Sequence, residues 1–131
     1  MPAITALYAA LLALLVVILG VRVALYRLRA RIGVGDGGDA RLLRRVRAHG
    51  NAVEYVPLGL LLLLLLELSA APAVGLHAAG GAFALARLLH ALGLSRTGGS
   101  SLPRMVGASL TFVSLIAMAV WLLLRAIPLL A

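Results

Sequence analysis

Residues 47–67 read RAHGNAVEYVPLGLLLLLLLE, so a polar segment runs directly into an uninterrupted block of leucines. The leucine block indicates a membrane helix, and polar side chains placed in a membrane helix rarely serve packing alone. At helical pitch four polar positions point into one sector of about 100°. They are Arg47, Asn51, Glu54 and Tyr55. One face of this helix therefore carries a cation, an amide, a carboxylate and a phenol, which predicts a binding site.

The whole chain has the composition of an integral membrane protein. Of its 131 residues 63% are hydrophobic and 12% are charged, against roughly 45–50% and 25% in soluble domains, and the mean hydropathy is +1.12. Because a membrane helix needs about 20 residues, the chain has room for about four of them and for no separate soluble domain. We expect an all-α membrane protein that folds as a four-transmembrane-helix bundle.

Charge and cysteine content exclude several classes of function. The net charge is +8, but the arginines lie beside apolar segments with few aromatic residues among them. Anionic lipid headgroups and membrane topology therefore explain the charge better than nucleic acid does. Cysteine is absent, which excludes thiolate ligands and a cysteine nucleophile. No His, Asp and Glu trio has the spacing of metal ligands, so no metal site is predicted.

Four apolar stretches are predicted to span the membrane, over residues 4–26, 40–70, 73–94 and 103–127. A linker rich in glycine and aspartate separates the first two, with Asp39 placed to cap the second helix. Arginines concentrate around this linker and in the loop between the third and fourth spans. By the positive-inside rule both arginine-bearing loops face the cytoplasm and both termini face outside.

Further polar residues on the third and fourth spans are expected to lie at the same depth in the membrane as the four polar residues of the second span. Arg87 and His90 lie one turn apart near the cytoplasmic end of the third span, and Arg104 begins the fourth. Each feature also has a plainer interpretation. Arg87 could snorkel to the membrane surface, Arg104 could anchor the topology, and Glu54 could form an ion pair that only ties helices together. Two polar residues near the outer ends of spans are assigned no role: Glu67 and His77.

The order of these motifs resembles the MAPEG family, the membrane-associated proteins in eicosanoid and glutathione metabolism, and above all its bacterial branch. The resemblance covers nearly the whole chain. It rests on the linker GDGG at residues 35–38, the motif RAHGNAVEYVP at residues 47–57 and the leucine block that ends at Glu67. It implies a homotrimer with three sites at subunit interfaces, each holding glutathione near the cytoplasmic side.

The resemblance also assigns roles to single residues. Positions that match glutathione-binding residues are Arg47, Asn51, Glu54, Tyr55 and Arg87, together with His90, which stands where the leukotriene synthase branch has a tyrosine. Arg104 resembles the arginine that activates the thiol in that branch. Leu94 replaces another tyrosine, and Met105 stands where the prostaglandin synthase branch has a serine. These departures speak against an eicosanoid substrate.

The chemistry of glutathione suits such a set of residues. Its two carboxylates, amine and thiol call for arginines, an acid and a cation that favours the thiolate. The first hypothesis is a membrane transferase or peroxidase of the microsomal glutathione S-transferase type, which acts on lipophilic electrophiles that enter from the bilayer. The alternative is a non-catalytic glutathione- or lipid-binding membrane protein of the same fold.

A third hypothesis is a small drug/proton exporter of four spans. Such exporters resemble each other by a carboxylate in the first span, and residues 4–26 contain none. The exporter hypothesis is therefore weaker than the other two. The expected location is the bacterial inner membrane, with the lipid bilayer and lipophilic small molecules as partners besides the homotrimer, and with no nucleic acid.

Overall fold

The computed structural model describes residues 1–96 and 98–130, apart from the side chain of Leu129. Within them the chain forms four long helices and no strand. They are α1 (Ala3–Ala30), α2 (Ala40–Leu68), α3 (Ala73–Arg96) and α4 (Leu102–Ala126), followed by a 3-10 turn at Ile127–Leu129. All four helices are long and apolar enough to cross a membrane, which confirms the predicted four-helix membrane architecture. Helix α1 continues past its predicted end at residue 26.

Helices α2 and α3 form the middle of the bundle. Helix α1 packs against both of them, α4 also packs against both, and α1 and α4 do not touch within the described residues. Successive helices alternate in direction, so the α1–α2 linker and the α3–α4 loop lie at the same end of the bundle. We call this the linker end. Residue 97, in the α3–α4 loop, lies outside the described residues.

Asp39 organises the linker end. Its Oδ1 accepts hydrogen bonds from the amides of Arg41 at 2.7 Å and Leu42 at 3.2 Å, which confirms the predicted cap of α2. Its Oδ2 accepts a hydrogen bond from the Tyr26 hydroxyl at 2.7 Å, so the same carboxylate ties α1 to α2. The bond from Tyr26, together with those from the two amides, holds the pKa of Asp39 below its ordinary value.

At the opposite end, which we call the turn end, the last turn of α2 is linked to both outer helices. The Glu67 carboxylate accepts hydrogen bonds from the amides of Ile4 at 2.9 Å and Thr5 at 2.7 Å, and so caps the start of α1. On the other side, Arg125 Nε donates to Ser69 Oγ at 2.7 Å, and its guanidinium also binds the Ser69 carbonyl. Glu67 therefore has a structural partner that sequence reasoning did not identify.

Glycines let α3 and α4 approach closely near the linker end. A Cβ atom at Gly93 would lie 2.4 Å from the backbone nitrogen of Arg104, and one at Gly107 would lie 2.4 Å from the backbone nitrogen of His90. Side chains at these two positions would push the helices apart. Gly80 faces the other neighbour of α3: a Cβ atom there would clash with the Tyr8 ring, so this glycine allows α1 to approach α3 closely. The close approach fixes Arg104 against α3.

Candidate functional site

A cavity of about 330 Å³ lies at the linker end, between α2, α3 and the start of α4. We call it the outer cavity. It is lined by Ala40, Leu43, Arg44, Arg47, Asn51, His90, Leu94, Gly98 and Arg104. Three of these residues are arginines and none is acidic. Because a guanidinium stays protonated at any physiological pH, this lining favours an anionic ligand.

The charged side chains of the outer cavity differ in how the protein holds them. Arg104 Nη1 donates to the Gly99 carbonyl at 3.1 Å, and the Arg104 carbonyl lies 3.2 Å from Nδ1 of His90. Since a carbonyl only accepts, Nδ1 carries the proton in this contact, and Nε2 of the neutral ring is then an acceptor. Arg44 Nε is buried with no partner among the described residues, and Arg47 is exposed. The N–H group at Nε of Arg44 is thus available to donate a hydrogen bond to a ligand.

A second cavity, of about 130 Å³, lies deeper in the bundle. We call it the inner cavity. It is lined by Asn51, Tyr55, Arg87, His90, Ala108, Thr111 and Phe112, and it shares Asn51 and His90 with the outer cavity. The rings of Tyr55 and Phe112 meet edge to face with centroids 5.7 Å apart. Phe112 is exposed on the outside of the bundle. The inner cavity therefore lies between the cationic outer cavity and a face of the bundle that lipid would contact.

Arg87 is the buried cation of the inner cavity, with only 1% of its surface exposed. Its Nη2 donates to Asn51 Oδ1 at 2.7 Å and its Nη1 to Thr111 Oγ1 at 3.3 Å. The guanidinium carbon lies 5.4 Å from the centroid of the Tyr55 ring, and Nε has no partner among the described residues. Arg87 points into the bundle, so the snorkelling interpretation is wrong.

The environment of Arg87 has an energetic consequence. Each of its hydrogen-bond partners is neutral, and the Glu54 carboxylate acts on it without forming a direct ion pair. A buried charge that has no directly paired counter-charge is costly in a membrane. An anionic or strongly accepting group of a ligand would lower that cost. The Arg87 guanidinium is therefore suited to ligand binding as well as to holding Asn51 and Thr111 in place.

The structure brings most of the predicted residues into the two cavities. The outer cavity contains Arg47, Asn51, His90 and Arg104, and the inner cavity contains Asn51, Tyr55, Arg87 and His90. Glu54 lines neither cavity and is exposed on the flank of α2. Among the described residues it has no ion-pair partner, so the ion pair that would only tie helices together is not formed within the chain.

Among the polar and aromatic residues that line the cavities, three were not predicted to belong to a site: Arg44, Thr111 and Phe112. Arg44 lies one turn before Arg47, so helical periodicity alone could have placed it on the same side of α2. Thr111 and Phe112 carry no signal in the sequence, because a small polar residue and an aromatic residue are both ordinary in a membrane helix.

The two cavities can accommodate two kinds of group side by side. The outer one suits an anionic ligand. The inner one suits a compact apolar or aromatic group that also carries an acceptor for Arg87, and the two cavities meet at Asn51 and His90. In residues 1–96 and 98–130 no three His, Cys, Asp or Glu side chains come together in a group that could hold a metal ion. Arg104 of the outer cavity and Arg87 of the inner cavity are suited to stabilising an anion on the ligand.

Comparison with known proteins identifies the family. Residues 5–124 match the sequence model of the MAPEG family. The chain is also similar to the inner membrane protein YecN of Escherichia coli K12, with 39% identity over 90 residues that cover 69% of each chain. The YecN protein of Escherichia coli O6:H1 strain CFT073 gives the same values. Because the match to the family extends across all four helices, the chain belongs to the MAPEG family.

Proposed function

We propose that this protein is a glutathione-dependent membrane transferase or peroxidase that acts on lipophilic electrophiles. The observation that carries the proposal is the pair of adjoining cavities. Three arginines and no acid line the outer cavity, and two aromatic rings line the inner one. Glutathione is a peptide with two carboxylates, an amine and a thiol, and the co-substrates that the proposal assigns to this protein are apolar. The two cavities match the two kinds of substrate.

In the proposed reaction, Arg47 and Arg44 bind the carboxylates of glutathione, since guanidinium and carboxylate form charge-assisted hydrogen bonds. Arg104 stabilises the thiolate, and the thiol proton leaves to solvent. The thiolate sulfur attacks an electrophilic carbon held in the inner cavity. A sulfur–carbon bond forms while the bond to the leaving group breaks, and the leaving group departs with the electron pair.

The proposal includes a homotrimer in the bacterial inner membrane, with both termini outside and both arginine-bearing loops in the cytoplasm. The similarity to an inner membrane protein supports the location. Glu54 supports the assembly, because its carboxylate is exposed on α2 and the glutathione amine needs an acidic partner. In the trimer Glu54 would contribute to a site that a neighbouring chain completes.

The second candidate is a binding protein of the same fold without turnover. It is favoured by the departures at His90 and Leu94, where other branches of the family have tyrosines. Both residues line the outer cavity. Without those hydroxyls the site could retain carboxylate binding and still stabilise the thiolate too weakly for catalysis. The two candidate functions therefore differ in whether the bound thiol reacts, and not in how tightly it is bound.

The test is thermal unfolding of the detergent-purified protein with a panel of low-molecular-weight thiols, followed by turnover of a generic aryl halide. Glutathione should raise the unfolding temperature and support turnover. S-methylglutathione, which keeps both carboxylates and lacks the thiol, should stabilise the protein without turnover. Stabilisation by both compounds without any turnover would favour the binding protein. No stabilisation by any thiol would refute the proposed function.

A further inference from the structure

Away from the two cavities, the end of α1 carries a groove of about 490 Å³. It is lined by Ala24, Arg27, Leu28, Arg31, Ile32 and Gly33. Ala24, Arg27 and Leu28 are spaced at helical intervals and share one face of α1, and Arg31 follows directly after the last residue of the helix. The groove therefore combines apolar side chains with two guanidinium groups, and it contains no acidic residue. Nothing in the proposed reaction uses it.

The chain that follows α1 folds back and shapes this groove. Arg31 adopts the left-handed conformation with φ of 54°, and the amides of Arg31 and Ile32 donate to the carbonyls of Leu28 and Arg27. Arg27 Nη1 donates to the Gly33 carbonyl at 3.2 Å, which orients its guanidinium. The Arg31 side chain has no hydrogen bond to another described residue. Both guanidinium groups thus have free donors, and the hydrogen bond to Gly33 orients that of Arg27.

The depth of the groove follows from the length of α1. Its 28 residues at roughly 1.5 Å each give a helix of about 42 Å, and a tilt of about 20° still leaves roughly 39 Å. The hydrocarbon core is about 30 Å thick. We therefore expect the last turns of α1 to extend into the headgroup layer, with the side chains of Ala24 and Leu28 towards the acyl chains and the two guanidinium groups at the level of the phosphates.

The local charge favours an anion despite the helix dipole. The C-terminus of α1 acts as about half a negative charge, whereas Arg27 and Arg31 contribute two full positive charges. Neither acid of the linker lines the groove: Asp36 accepts from the Gly38 amide at 3.0 Å, and Asp39 binds Tyr26 and the start of α2. The charged side chains that line the groove are therefore both positive.

We propose that this groove binds the phosphate diester of an anionic phospholipid. The guanidinium groups of Arg27 and Arg31 bind the phosphate oxygens, a geometry that suits the planar arginine fork. One acyl chain of the same lipid lies along Ala24 and Leu28. The site ties α1 and its linker to one leaflet, and it is separate from the cavities that carry the proposed function.

The experiment compares two double variants with equal loss of charge. Native mass spectrometry of the full-length protein, released from detergent with equal amounts of phosphatidylglycerol and of diacylglycerol, which has no phosphate, gives the ratio of bound phospholipid to bound diacylglycerol. The groove variant is Arg27→Gln with Arg31→Gln. The control is Arg29→Gln with Arg41→Gln, both exposed and outside the groove. Since a direct hydrogen bond to a charged group changes binding roughly tenfold or more, the groove variant should lower the ratio on the order of 100-fold. The control, whose arginines lie outside the groove, should lower it much less.

Two results would overturn this site. Equal losses in the groove variant and the control would mean that diffuse charge attracts the lipid. Displacement of phosphatidylglycerol by inorganic phosphate alone would mean that the groove takes a soluble anion. If the glutamine variants do not fold, as judged by circular dichroism, Arg27→Lys with Arg31→Lys keeps the charge and removes the fork. This pair should still lower the ratio, and a ratio equal to the parent's would count against the site.

Discussion

At the scale of single residues, Arg104 and Arg47 line the same cavity but are held differently. Arg104 begins α4 and is fixed against α3 by the close approach at Gly93 and by the contact of its carbonyl with His90. Arg47 is exposed on α2. A preorganised cation is suited to stabilising charge that develops during reaction, whereas an exposed one is suited to capturing a carboxylate.

We therefore predict different kinetic effects for Arg104→Ala and Arg47→Ala. The first should lower kcat on the order of 100-fold and raise the pH at which the ultraviolet band of the bound thiolate appears, with a modest loss of glutathione affinity. The second should weaken glutathione binding about 10-fold or more, because its expected carboxylate partner is the same in ground and transition states. Equal effects on affinity would remove the reason for assigning the thiolate to Arg104.

Glu54 and Glu67 provide a matched pair of carboxylates on the same helix. Glu54→Gln should weaken glutathione binding about 10-fold, because the expected partner of Glu54 is the glutathione amine. It should leave the assembly intact, because glutamine keeps the shape of the side chain. Glu67→Gln should lower the unfolding temperature with unchanged affinity, because this carboxylate caps α1. Calorimetric titration with glutathione and thermal unfolding measure both quantities. Unchanged affinity in Glu54→Gln would place the glutathione amine elsewhere.

At the scale of helices, the packing of α3 on α4 depends on Gly107. A Cβ atom there would lie 2.4 Å from the backbone nitrogen of His90 and 2.8 Å from the carbonyl of Ala86, and neither can move without shifting α3. We predict that Gly107→Ala lowers the free energy of unfolding by roughly 1–3 kcal/mol. The control is Gly50→Ala, where a Cβ meets nothing within 4 Å, and it should be neutral or stabilising by up to about 1 kcal/mol. Equal unfolding temperatures in detergent would contradict this packing.

The helices also mark the limit of what the sequence could predict. The four helices, the cap at Asp39 and the arginines of the outer cavity follow from local patterns: apolar length, a capping residue and helical spacing. The bond from the start of α1 to Glu67 joins residues far apart in sequence. The burial of Arg87 likewise depends on Asn51 and Thr111 of other helices. Contacts between helices leave no periodic signal in one sequence, so these features required the structure.

At the scale of the whole molecule, α2 has a charged flank that the single chain leaves uncovered. The flank contains Arg47, Glu54 and Leu61, which follow one another at intervals of seven residues. All three are exposed. A charge on a membrane helix that faces lipid costs roughly 2.5–3.5 kcal/mol at the bilayer centre, whereas a neighbouring chain could cover it. This favours an assembly in which the α2 helices face one another around a threefold axis.

We predict that the purified protein has the mass of three 13.6 kDa chains in native mass spectrometry. The natural sequence lacks lysine and cysteine, so a single introduced cysteine reports one contact without background. Identical residues of a threefold assembly meet only near the axis. Leu61→Cys on the α2 flank should therefore form disulfide-linked pairs in membranes. Val120→Cys on α4, which is 50% exposed, should form far fewer. A monomeric mass, or equal linking at both positions, would contradict a trimer arranged around α2.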